Sequence, residues 1–169
     1  MADIIRNRQV ASDSWRLLKP AADGSLPSVP QEGDVIVPLA VWLDQRAELR
    51  ARTGRLGVWL DSHEDPAAIA VDLRNFDVIA INFPKFIDGR GYSAARLLRE
   101  RYGWRGELRA IGDIFRDQLF YLANCGFDAF ALRSGEDPHS ALTAFDDVSE
   151  SYQGTVAHPQ PLFRRRASQ

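Results

Sequence analysis

The chain has 169 residues, 45% of them hydrophobic and 26% charged, with a formal net charge of -2. That length supports one domain with a real core, and that charge supplies no strong field toward nucleic acid or an anionic membrane. A single cysteine, Cys125, excludes an internal disulfide, a CxxC redox pair and an iron–sulfur cluster held by the chain's own thiolates, while the apolar runs fall far short of a bilayer span.

Residues 1–34 form an N-terminal arm in this reading. The start, MADIIRNRQV, has no apolar stretch of the secretory kind, so the cytoplasm is the expected compartment. DIIR (3–6) and SWRLLK (14–19) suit short strands, and PAADGSLPSVPQEGD (20–34) is turn-rich loop. The main domain spans 35–150. DVIV (34–37) is a strand, and Pro38 fits the first turn of a helix carrying Leu39, Trp42, Leu43 and Ala47 on one face, with Gly54 at its end. LGVWL (56–60) is the next strand. Asp65 and Pro66 then have the cap-and-first-turn pattern of a helix start.

DVIAI (77–81) is a buried strand, followed by the loop FPKFIDGRGYS (83–93). A helix over 92–102 turns Ala95, Leu98 and Tyr102 to the core and stops at Gly103. ELRAI (107–111) is a strand with Leu108 and Ala110 inward. Asp113 suits the cap of a helix with the stripe Phe115, Leu119 and Leu122, ended by Gly126. FDAFAL (127–132) is the last clear strand, and Asp137-Pro138 opens a final helix. Residues 151–169 form an Arg-rich tail. Strand and helix alternate about five times, which argues for an α/β fold with a mainly parallel sheet. An open doubly wound sheet is the first expectation and a curved partial barrel the alternative.

Parallel α/β sheets bind ligands beyond the carboxyl ends of their strands. Those ends supply Asp61, Ser62, His63 and Glu64; then Asn82, Lys85, Asp88, Arg90 and Tyr92; then Gly112, Asp113, Arg116, Asp117 and Gln118; then Arg133, Ser134 and Glu136. Lys85, Arg90, Arg116 and Arg133 would line one edge. Gly89 and Gly91 would let backbone N–H groups approach a ligand, and a nearby helix start adds its positive end. The set suits a small oxyanion: sulfite, sulfate, phosphate or a carboxylate. The chain uses Lys only at Lys19 and Lys85. Lys19, before Pro20, suits a solvated position; Lys85 lies in the candidate loop.

Structural roles compete with each of these. Asp113 can be a helix cap alone, and Asp88-Gly89 is a good turn pair without a ligand. Arg116 and Asp117 can pair locally, and Cys125 suits a small buried filler. His63 has no second histidine at ligand spacing, so no metal site is expected. GxGxxG, the P-loop GK[ST] and GxSxG are all absent.

The segment 83–130 contains FPKF, DGRGYS, RLLRERYG, GELRA, GD, RDQL and CGFDAF in order, with looser flanks VPLAVWLDQRAELRAR (37–52) and GVWLDS (57–62). This run resembles a bacterial domain-of-unknown-function family described as an oxidoreductase involved in sulfite reduction. The genes of that family commonly lie beside those of assimilatory sulfite reductase. The resemblance implies a role in sulfur assimilation with sulfite reductase as the partner. Six-electron reduction of sulfite needs electron carriers such as sirohaem and an iron–sulfur cluster, and this chain shows no cofactor motif of its own. An accessory protein or small subunit is therefore expected, binding a sulfur oxyanion or docking on the reductase. Lys85, Arg90 and Arg116 would hold the anion, Asp113 and Asp117 would orient the arginines, and Tyr92 and Gln118 would add neutral hydrogen bonds. The alternative is a stand-alone enzyme on a small phosphorylated or carboxylated substrate, with Lys85 as the reactive amine and Asp113 or Asp88 as the acid–base group. A homo-oligomer is compatible with either.

Overall fold

Apolar residues alternate along the strands, and both alternating sets are buried. A computed structural model of the chain describes residues 2–85, 88–146, 156 and 159. The strands are β1 (Ala2–Arg6), β2 (Gln9–Asp13), β3 (Arg16–Leu17), β4 (Val35–Pro38), β5 (Leu56–Leu60), β6 (Val78–Phe83), β7 (Glu107–Gly112) and β8 (Ala129–Phe130). They form one sheet in the order β2-β1-β8-β7-β6-β5-β4-β3. β3 to β8 are parallel neighbours in chain order, and β1 and β2 join antiparallel beyond β8. The sheet is mixed and curled, a half-barrel.

This topology settles the choice between the two expected architectures. A doubly wound sheet needs its strand order to reverse at a switch point. Here each crossover adds the next strand on the same side, and right-handed connections then put every helix on one face. The sheet also has more strands than expected. β2 and β3 occupy opposite edges, yet only Ser14 and Trp15 separate them. Three residue steps reach at most about 11 Å, so the sheet must curl until its edges approach.

The helix-covered face packs Val35, Val37, Val58, Leu60, Ile79, Ile81, Phe83, Leu108 and Phe130 into the larger core. Against it lie α1 (Leu39–Asp44), α2 (Arg46–Ala51), α3 (Arg90–Arg96), α4 (Leu119–Asn124) and α5 (Pro138–Ala141). The opposite face carries a second cluster of Trp15, Ile36, Val78, Ala80 and Ile111, with Leu17, Trp59 and Ala131 packed on it. Strand side chains alternate between faces, so the curled sheet is apolar on both.

Local outcomes depart from expectation in four places. The helix expected after Pro38 is two short helices, and Leu43 and Ala47 face solvent while Val41 and Leu49 are buried. The stretch expected over 92–102 begins at Arg90 and ends in a wide turn at Leu97–Arg101, with Tyr102 N donating to Leu97 O at 3.0 Å. Asp113 does not cap the following helix. Gln118 does so instead, its Oε1 accepting from Phe115 N at 2.9 Å. The last parallel strand is confined to Ala129–Phe130. The tail 151–169, apart from two positions, lies outside the described residues, as does Phe86. Both Asp-Pro starts form as expected: Asp65 accepts from Ala67 N, and Asp137 from His139 N and Ser140 N.

Candidate functional site at the carboxyl ends of the strands

Because β3 to β8 are parallel, their carboxyl ends share one rim. The loops after β6 and β7 meet there. Asp113 N donates to Phe83 O at 2.8 Å, and Gln118 Nε2 donates to Tyr92 Oη at 3.1 Å. Tyr92 stands edge-on to Phe83 and Tyr121, and burial raises its phenol pKa above the ordinary value. Gln118 is buried and spends its oxygen on Phe115 N. These two residues tie α3 to α4. Gly91 has a packing task as well: a Cβ there would stand 2.6 Å from the Phe83 ring. Gly89, at the start of α3, has open space around it.

The basic side chains of these loops turn to different neighbours. Arg90 donates from Nε to Asp88 at 2.9 Å and from Nη2 to Asp88 at 2.7 Å and Ser62 Oγ at 2.9 Å. The guanidinium holds the Asp88 carboxyl well below the usual carboxylate range. Arg116 donates to Thr143 Oγ1 at 3.2 Å and lies 4.0 Å from Asp117. Arg133 lies 3.6 Å from Asp113 and stacks over Phe115 with its carbon 4.0 Å from the ring centroid. The expected set therefore divides. Arg90 faces the loop after β5, whereas Arg116 faces the helical segment after β8.

Lysines behave differently. Lys85 stands two residues beyond β6, exposed, with no ion-pair partner among the described residues. Lys19 stands two residues beyond β3, equally exposed and equally unmatched among them. Both lysines of the chain thus occupy the same rim. Lys19 lines a cavity of about 240 Å³ with Leu17, Pro20, Trp59, Asn82, Ile111 and Gly112. These residues come from the ends of β3, β5, β6 and β7, so the cavity is the mouth of the curled sheet.

Its walls are fixed by hydrogen bonds. Trp59 Nε1 donates to Leu18 O at 2.8 Å, tying the ring to the segment after β3. Asn82 Nδ2 donates to Asp61 Oδ1 at 3.0 Å, and the same oxygen accepts from Ser62 N at 2.8 Å. Asp61 N in turn donates to Glu64 Oε2 at 2.7 Å. Gly112 has φ of 100°, and a Cβ there would run into Phe83 O and Asn82 Oδ1. Only glycine allows β7 to end this way beside Asn82.

Asn82 and Asp61 appear in the sequence as strand-end polar residues. Lys19 and Trp59 were not singled out there as site residues. The signal for Lys19 is its spacing, since it follows β3 as Lys85 follows β6. That signal becomes visible once β3 is known to be parallel.

Fold and site together define an α/β half-barrel protein with a small cavity at the carboxyl mouth of its parallel strands. The chain belongs to a bacterial protein family of unknown function, DUF934, whose match covers residues 57–163. That family description carries no activity. Among curated proteins and solved structures, no match was found.

Proposed function

We propose that this protein is an accessory of assimilatory sulfite reduction that receives a small sulfur oxyanion on the carboxyl rim of its half-barrel. One observation carries the reading. Lys19 and Lys85, the chain's only lysines, both stand on that rim without a carboxylate partner among the described residues, whereas Arg90 and Arg133 each have one. An unmatched ammonium is a hydrated point charge that a ligand anion can meet without first breaking an ion pair. Lys85 shares its loop with Arg90 and the loop glycines, and the sulfur oxyanion comes from the family resemblance of the 83–130 segment. Docking on the reductase would place the rim against the enzyme that consumes the anion.

The test has two readouts. Sulfite and sulfate are expected to raise the melting temperature of the full chain, and Lys85→Met is expected to reduce that rise. Tagged protein is expected to retain the reductase from a lysate of its own host. Absence of both effects would end the proposal.

A further inference from the structure

The mouth cavity is built for more than an inorganic ion. Its volume, about 240 Å³, equals the share of roughly eight waters at ~30 Å³ each. Four of its lining residues, Leu17, Pro20, Trp59 and Ile111, are apolar. An inorganic oxyanion would satisfy Lys19 and leave those walls facing water. An apolar or planar body displaces that water and gains from covering the apolar walls.

The polar groups are complementary as a pair. Lys19 offers an unmatched cation at the rim. Asn82 offers an acceptor. Its amide nitrogen is committed to Asp61, which leaves Oδ1 beside Gly112, 2.6 Å from where a Cβ on that glycine would stand. No donor among the described residues reaches that oxygen. Asp61 itself faces away from a cation-seeking role, because its Oδ1 already accepts from Asn82 and Ser62 N, and Arg90 lies in its field.

We infer that this mouth is a binding site for a small organic anion: an apolar or planar body against Trp59, an anionic group at Lys19, and an O–H or N–H donated to Asn82 Oδ1. The inference rests on the anion-receptive rim of the proposed function and narrows the ligand class at one end of it. Trp59 and Asn82 are held by Leu18 and Asp61 before any ligand arrives, so little ordering cost remains to be met on binding.

The full chain, labelled with ¹⁵N, reports on the site through the Trp59 indole N–H and the Asn82 side-chain amide. The probes are 4-hydroxybenzoate, its neutral isostere 4-hydroxybenzamide, and sulfate. 4-Hydroxybenzoate is expected to shift both signals saturably, with the amide and sulfate each binding there at least about tenfold more weakly, as expected for loss of a charge-assisted contact or of the apolar body. Lys19→Met is expected to weaken 4-hydroxybenzoate by about tenfold, and Lys19→Arg to restore most of it. Equal binding of acid and amide, an unchanged affinity in Lys19→Met, or no shift at either signal would overturn the inference. Failure here with a Lys85-dependent response to sulfite would leave the proposed function standing. Success here without that response would leave the organic-anion site alone.

Discussion

The two ends of the curled sheet treat charge in opposite ways. At the amino end several cations are paired with carboxylates. Arg109, buried in mid-sheet, contacts Asp13 at 2.9 Å and Glu107 at 2.7 Å, and Glu107 also accepts from Arg6 at 2.8 Å. Arg99 donates to Asp128 and to the carbonyls of Gly126, Trp104 and Gly106. Arg55 pairs with Asp34 and covers Trp15. At the carboxyl end two lysines stand without an ion-pair partner among the described residues, Lys19 of them beside a cavity. The lesson is that the buried cations of the amino end are held by completed charge networks, while the two exposed lysines of the carboxyl rim belong to none among the described residues.

The largest expected effect lies at the completed end. Arg109→Ala would leave Asp13 without its cation and Glu107 with Arg6 alone, and breaking a buried pair costs about 3–5 kcal/mol. Chemical denaturation should show it as a lowered midpoint. A midpoint near that of the parent protein would remove the structural half of the comparison. Gly112→Ala comes next, at about 1–3 kcal/mol, because a positive φ and clashes with Phe83 O and the Asn82 side chain are forced on alanine. It should also disturb the Asn82 amide signal, since that side chain is one of the atoms displaced.

How much of this was legible beforehand follows from residue type. Strand β5 at Leu56–Leu60 and β6 at Val78–Phe83 are visible because apolar β-formers run continuously there. Asp65-Pro66 and Asp137-Pro138 announce helix starts through side-chain caps that need only local chain. β2 (Gln9–Asp13) was hidden, because its burial is partial and its pairing with β1 depends on a turn at Asn7 and Arg8 with positive φ. The curl stood only as the alternative expectation, since it follows from where the short β3 pairs and not from any local pattern. The loops after β6 and β7 do lie on one rim, as the strand order of the sequence implies, but the directions of Arg90 and Arg116 depend on Ser62 and Thr143, both distant in sequence. Arg109 looks like an ordinary outward strand residue until Asp13 arrives from the far edge.

Smaller effects sharpen the contrast. Lys19→Met and Lys85→Met should each change stability by no more than about 0.5 kcal/mol, as exposed residues do when, like these, they have no ion-pair partner among the described residues. A larger loss would mean that the rim lysines also support the fold. The smallest expected effects are two opposite dependences on acid pH. Asp128 is raised above its ordinary pKa, first by burial, with its hydrogen bonds from Leu108 N and Arg99 opposing. Its folded form therefore holds a proton more readily than its unfolded form, and stability falls as pH rises through that interval. Asp88 is lowered, first by Arg90. Its contribution is present above the ordinary carboxylate pKa and is lost as pH falls below it. Melting curves of Asp128→Asn and Asp88→Asn across acid pH should lose these slopes in opposite senses. Slopes of the same sign would contradict the assignment.

The most direct measurement is a crystal structure grown with selenate, whose selenium marks an oxyanion by anomalous scattering. The account expects a peak within hydrogen-bonding distance of Lys19 or Lys85 and none at the amino end beside Arg109 or Arg99. Peaks confined to the amino end, or to surfaces away from both lysines, would contradict it.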